Sequence, residues 1–502
     1  MQKLSAVVIL SLSLFTAAAA QAATFNVTNT DASGAGSFLA ALNSANASAD
    51  TSNTITFDES LSGTIAPVFL SSDLPLISVP ELTIVGPPNS TVTLDLSDFQ
   101  RLTLDADVTF LRIQDLTIVG GEAFRGGCLN SQHGAELQLA YVTFEDCVAK
   151  PSNMAEYARG GAVYSTGLTW IQGSIFINNR AQGGTTDGAE GGAVFVTPLA
   201  VGTALNVISS VFLQNEAASD KDGVSVNGGA IRILGNISVR IEDSDFSSNR
   251  TTLNGAGSGG SGGAISGVFG ELKLRRNLLY ANTSANGASV LHFAAGSPTD
   301  RSPADIENNT FFENFGNANA ASNNGAAIMI YRSALRMRNN GFRNNRAGSG
   351  AGSLQYGGDI DLVAIANNAF DLDSNNGSPS CGVSFPTVPD TVFDGSNNYF
   401  SDNSCDFLAA AGTQHPGLNL MATTTSPSSL GFALMPVFPS PLIDGGSNGE
   451  SDIDWTLCPS TDQLGNPRPQ DNDADGDARC TAGPAENAFG LPPTIFSHGF
   501  ED

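Results

Sequence analysis

Two carboxylate pairs, Asp243 with Asp245 and Asp359 with Asp361, stand at alternate positions of short polar and apolar runs. Residues two apart on a strand point to the same side. Each pair therefore sets two carboxyls on one face, the raw material for acid–base or nucleophilic cleavage of a glycosidic bond. Ordinary solvated strands show the same spacing, so the pairs become catalytic candidates only if the chain is an enzyme. Asp471, Asp473, Asp475 and Asp477, with Gly476, repeat the first half of a calcium loop, in which alternate oxygens converge on the ion. Position twelve would be Ala482, so the bidentate Glu is missing, and the expected cofactor is at most a structural calcium. Trp170 invites a third chemistry: a large aromatic held outward between the amides of Gln138 and Asn206 could stack on a sugar ring. A covering loop such as 151–159 is the plainer alternative. Gly259 to Gly263 formally matches Gly-x-Ser-x-Gly, but inside a Gly/Ser-rich loop without the strand–turn–helix setting that chemistry needs.

A repeat must position these residues. Phe144, Phe176, Phe212, Phe246, Leu279, Phe311, Phe342, Phe370 and Phe400 recur at spacings of 28 to 36 residues. Five and seven positions before each anchor the residues are almost all apolar, as with Leu137 and Leu139, or Val239 and Ile241. The columns between and beside them are mostly polar, as with Gln138, Asn206, Arg240 and Gln172. Period-two alternation predicts a strand with one buried and one outward face. Asn277, Asn309, Asn340, Asn368 and Asn398 precede their anchors by two; Asn179, Asn215, Asn249, Asn282, Asn314, Asn345 and Asn403 follow theirs by three. Both columns predict Asn ladders at turns, in which stacked amides satisfy backbone groups at the bend and hydrogen-bond from rung to rung, with a residue that tolerates left-handed geometry. A second strand opens on Gly-Gly-Ala at 160–162, 191–193, 228–230 and 262–264, with Gly-Gly-Cys at 126–128. Outward charges such as Arg240 with Glu242, Lys273 with Arg275, and Asp305 with Glu307 predict lateral ion pairs between neighbouring rungs.

Coils of about 32 residues, each with two or three short strands, stack into a parallel β-helix. Gly-Gly-Ala-[Ile/Leu/Val] together with Phe-x-x-Asn, as in Phe176 to Asn179 and Phe212 to Asn215, resembles the repeat pair of chlamydial polymorphic outer-membrane proteins and kindred bacterial right-handed β-helix proteins. The resemblance covers about residues 120–405 and implies an all-β, right-handed parallel β-helix. It does not carry over autotransport, since no translocating barrel follows. Polysaccharide lyases and hydrolases share the fold, which supplies the rival enzymatic reading.

The expected organisation is a signal peptide at 1–22, an N-terminal cap at 23–63 and the β-helix at 64–415. Irregular coils with a C-terminal module follow at 416–486, then a tail at 487–502. Met1-Gln2-Lys3, the apolar run Leu4–Ala20 and Ala20-Gln21-Ala22 have the form of a secretory signal with its cleavage site. In the cap, Ser37 is set to N-cap a short helix bearing Phe38, Leu39 and Leu42 on one side. Asp444-Gly-Gly, Asp462-Gln-Leu-Gly465-Asn-Pro467-Arg468-Pro469 and Glu486 resemble the choice-of-anchor module of surface proteins, which implies delivery to the cell surface. The end, Ile495-Phe496-Ser-His-Gly499-Phe500-Glu501, resembles a short terminal motif of exported proteobacterial proteins.

Of 502 residues 41% are hydrophobic and 14% charged, enough apolar surface for an ordered body. A formal charge of −27 repels phosphate and excludes nucleic acid as a partner. After the signal no stretch is long and apolar enough to span a bilayer. Six cysteines fall in three local pairs, Cys128 with Cys147, Cys381 with Cys405, and Cys458 with Cys480, and in an exported chain suggest disulfides. The combined expectation is a secreted cell-surface protein, adhesive or structural, whose partner is a surface component or an extracellular glycan.

Overall fold

The computed structural model describes residues 22–65, 74–88, 92–97, 101–151, 156–184, 187–199, 202–254, 260–295, 304–316, 327–331, 333–348, 351–357, 362–371, 379–383, 392–402, 404–405, 412–414, 421–425, 432–436, 440–448, 456–472 and 477–486. All but the last residue of the proposed signal peptide 1–22, the pair Asp359 and Asp361, Asp473 and Asp475, Asn403 and the tail 487–502 lie outside them.

The chain is a parallel β-solenoid built from stacked sheets, two of them 13 strands deep and a third of 10. Sheet I begins at Ala23–Val27 and Ser52–Phe57 and runs through Thr169–Gln172, Ala204–Ile208 and Ser238–Glu242 to Val392–Ser396. Sheet II carries the Phe anchors, from Gly63–Ile65 through Ile175–Ile177 and Asp245–Ser247 to Gly412–Gln414. Sheet III contains the strands after each Gly pair, among them Val163–Ser165 and Ile231–Leu234. Register follows the repeat: Phe144 pairs with Phe176, then Phe212, then Phe246. Inside, Phe212 is fully buried and stacks on Phe176 and Phe246 with centroids 4.7 Å apart on each side. Each such ring contributes roughly 1.5–3 kcal/mol by burial, and each stacked pair about 0.5–1.5 kcal/mol more.

Both Asn ladders exist. Asn215 Nδ2 donates to Asn249 Oδ1 at 2.9 Å and to the Phe176 carbonyl at 2.9 Å, and Asn215 Oδ1 accepts from the Asn179 main-chain N–H at 3.1 Å. The left-handed residue is not the ladder Asn but the one before it: Gln214, Ser248 and Asn344 in one turn, Asp243, Arg276 and Asn308 in the other. The ladder Asn, as expected, satisfies the main-chain groups that the corner would strand inside the core.

The Gly pair divides its work. Gly160 has φ +65°, the left-handed corner, whereas a Cβ on Gly161 would lie 1.8 Å from the Gly192 carbonyl oxygen one rung on. Cys128 takes the Ala position after its Gly pair and bonds to Cys147, which takes the ladder Asn position; Cys381–Cys405 and Cys458–Cys480 are also bonded.

Three features lie outside the repeat. A ten-residue helix, α1 at Phe38–Ala47, is N-capped by Ser37 Oγ, which accepts from the Ala40 N–H at 3.2 Å; α1 packs Phe38, Leu39 and Leu42 inward beside the first two sheet I strands. Laterally, a seven-stranded and a three-stranded sheet enclose a small second core of Ala149, Ala158, Ala181, Ala189, Ala217 and Val226. Residues 440–448, 456–472 and 477–486 fold back along the flank rather than continue the stack. The corner residues Asn308, Asn339 and Asn367 donate to the carbonyls of Thr461 (2.8 Å), Thr481 (3.1 Å) and Leu457 (2.9 Å).

Candidate functional site

Sheet I presents a regular outward face 13 strands deep. On it Trp170 pairs in register with Gln138 on one side and Asn206 on the other, because alternation turns Thr169 and Ile171 inward. Trp170 is 37% exposed, and residues 152–155 of the loop named as its possible cover lie outside the described residues. Gln138 Nε2 donates to Glu136 Oε1 at 2.8 Å, which orients that amide beside the ring. Further along, charge is matched side chain by side chain. Arg240 donates to Glu242 at 2.7 Å and Lys273 lies 2.9 Å from Glu271, both within one strand rather than across rungs as the sequence suggested. Between rungs, Arg275 and Arg338 share Glu307, and Arg336 reaches Asp305 at 3.8 Å. Burial pushes the Glu242 carboxyl up, but the hydrogen bond from Arg240 and the charges of Arg240, Arg276 and Arg275 outweigh it and hold the group below its ordinary value. The face is thus an aromatic flanked by amides, continuing into a charge-balanced surface.

The candidate carboxylates separate in space and in role. Asp243 occupies the left-handed corner, and both its oxygens are clamped by Arg276, at 2.7 and 2.8 Å. Asp245 opens the next sheet II strand, where it accepts from Ser247; burial raises its pKa to about 6. Of the proposed calcium ligands, Asp471 and Asp477 are exposed, and Asp477 pairs with Arg479 at 2.7 Å. Among the described residues no group of three or more His, Cys, Asp or Glu side chains could hold a metal.

Sequence reasoning missed several placed groups. Tyr141, 53% exposed, sits in the left-handed corner one rung before Gly173. Glu190 joins Arg159 at 2.8 Å and Arg232 at 3.5 Å under the lateral lobe, while Arg159 also lies over Phe195 at 5.0 Å. His292 is held down to about 4, first by burial and then by the charge of Arg232. Its only sequence signal was a His in a strand after a degenerate Gly pair.

These two shifted groups give stability opposite slopes. Asp245, raised from 3.8, stabilises fully below pH 3.8 and loses that contribution as pH rises through about 6. His292, lowered from 6.5, has its contribution intact above pH 6.5 and loses it as pH falls through about 4. Asp245→Asn is therefore expected to stabilise the chain at pH 7.5, by about 2 kcal/mol, and to be neutral near pH 4. Denaturant midpoints of variant and parent at both pH values check this, and a gain confined to pH 4 would contradict the burial of that carboxyl.

No protein-family model matches the chain, and no curated protein matches it.

Proposed function

We propose that this is a secreted, cell-surface-associated solenoid whose work is adhesive or structural, and that the sheet I face around Trp170 holds an extracellular glycan. The observation that carries the reading is an exposed indole set between two amides on a flat face repeating every ~4.8 Å. That interval is close to the length of one sugar unit in an extended polysaccharide. The matched ion pairs beyond it favour a neutral chain over a strongly acidic one. Three disulfides fit an oxidising, extracellular setting. No helix among the described residues is long and apolar enough to cross a membrane. A right-handed coil, the choice-of-anchor likeness of the 440–486 region and a structural calcium in the Asp471–Asp477 loop belong to the same reading and rest on sequence patterns.

The rival is a polysaccharide lyase or glycoside hydrolase, and the raised pKa of Asp245 is what favours it, since a general acid needs such a shift. Against it, the neighbouring carboxylate Asp243 is already neutralised by Arg276. The test is one incubation with a panel of neutral and acidic polysaccharides, scored for retention and for released oligosaccharides. Expected are retention without products and at least a tenfold weaker affinity for Trp170→Ala. Products that disappear in Asp245→Asn would install the enzyme instead.

A further inference from the structure

The corner that closes sheet I holds, rung after rung, a residue in left-handed geometry whose type is free. From Asp115 to Asn397 this column accepts Asp, Tyr, Ser, Arg and Asn, all with φ between +50° and +55°. Gly173 interrupts the series at φ +57°, a geometry that its neighbours adopt with full side chains, so the backbone alone does not explain it. Tyr141, the preceding member of the column, does. Its N–H donates to the Gln172 carbonyl at 2.8 Å, and a Cβ on Gly173 would stand 2.5 Å from Tyr141 Cε1 and 2.6 Å from Cδ1, well inside packing distance. Tyr141 therefore leans out of its own rung and sets its ring against the next one, while remaining largely exposed.

The rung it leans onto is that of Trp170. Three residues separate Trp170 from Gly173, roughly 10 Å along a strand. Between them Ile171 turns inward and Gln172 outward. Of the Phe, Tyr and Trp side chains among the described residues, Tyr141, Trp170 and Phe315 are the exposed ones, so two of the three meet on a single rung. The surface they share is uncharged: residues 169–177 and 204–213 contain no Asp, Glu, Lys or Arg, whereas Glu136 and Glu145 stand on the rung before and Arg240, Glu242 and Asp243 on the rung after.

We infer that Tyr141 is a second sugar-stacking residue, and that the glycan lies along this rung from Trp170 to Tyr141 as a neutral, extended, β-1,4-linked chain. The inference rests on the glycan reading above and adds the direction and linkage of the ligand. The ~10 Å between the two ring seats is about twice the length of one sugar unit, so the stacked units are two apart. In an extended β-1,4 ribbon alternate units present the same face, which lets both lie on aromatic rings while the unit between them meets the Gln172 amide. Gln138 and Asn206, one rung to either side, then meet the edges of the sugar on the indole. An α-1,4-linked chain coils and turns its units progressively, and does not present two like faces at this interval.

The experiment titrates cellohexaose, mannohexaose, chitohexaose and the α-1,4-linked maltohexaose into the full chain by calorimetry. Expected are binding of at least one β-linked hexaose, none of maltohexaose, and a loss of roughly fivefold or more in Tyr141→Ala, with Tyr141→Phe close to the parent. Gly173→Ala, which fills the space taken by the ring, should weaken binding in the parent and add nothing to Tyr141→Ala. Ser and Asp fill the same corner in later rungs, so this variant should fold, and its thermal midpoint is measured alongside. Binding lost in Trp170→Ala but unchanged in Tyr141→Ala would overturn the second stacking residue and leave the glycan reading standing, as would equal affinity for maltohexaose overturn the linkage. Failure of every hexaose while the polysaccharide panel is retained would overturn this inference alone, and failure of both would overturn the glycan reading with it.

Discussion

Ile241→Asp is expected to lower the unfolding free energy by about 4 kcal/mol or more, enough to abolish the folded solenoid at moderate temperature. Ile241 is fully buried on sheet I, directly between Val207 and Leu274 of the neighbouring rungs. A carboxylate there has no cation within the core and no water, so it must fold protonated or force the coil open. Ile171→Asp, at 1% exposure, should behave alike. The controls are Gln172, next to Ile171, and Asn206, next to the Val207 that pairs with Ile241: Gln172→Asp and Asn206→Asp place the same charge on the outward face, where the expected change is within about 0.5 kcal/mol. Thermal melts of the four variants decide the matter, and similar losses in both pairs would mean that the in/out assignment is wrong.

The repeat was legible because its physics is local and recurs. Period-two alternation reported the sheet I faces, and the Asn columns reported ladders because a buried amide needs partners at the same level in adjacent coils. The three disulfides followed from the proximity of their cysteines along the chain. Where alternation failed, a second layer was responsible. On sheet III the middle residues Tyr164 and Phe195 point away from the solenoid core yet are 6% and 0% exposed, with Arg159 over the Phe195 ring. Val163–Ser165 and Val194–Val196 accordingly read as buried throughout, and no pattern within one coil announces what covers them. The corner residues were misread for a related reason: Gln214, Ser248 and Ala281 share left-handed geometry but no residue type, so the constraint leaves no column in the sequence. At the candidate site, the outward setting of Trp170 between amides was legible. The capture of Asp243 by Arg276 was not, because it joins residues 33 apart through two successive corners.

Glu486→Ala is expected to release the flank while leaving the upstream coils folded. Glu486 and Arg468 have side chains 1% and 0% exposed and meet at 3.0 Å, and Glu486 also accepts from the Thr481 N–H at 3.1 Å and from Asn472 Nδ2 at 2.5 Å. Burial pushes the Arg468 guanidinium down, and the carboxylates of Glu486 and Asp462 oppose that shift, so the cation is tolerated only because they surround it. Such a pair adds little over an apolar replacement of both members, but removing one alone strands a buried charge, at a cost of about 3–5 kcal/mol. Glu486→Gln, which keeps the acceptor and loses the charge, should fall between parent and Ala. The loss should be local, since rungs are coupled mainly to their neighbours and, among the described residues, this region meets the solenoid along the Asn308, Asn339 and Asn367 edge, at Arg338 of sheet I and on the sheet II strands beside them. Hydrogen exchange should therefore quicken in peptides from 440–486 and in the rungs they cover, Leu278–Tyr280 and Thr310–Phe312, while Leu137–Leu139 and Val207 keep full protection. Uniform quickening along the whole chain would show instead that the flank is part of one cooperative unit, and unchanged exchange would show that the buried pair holds nothing.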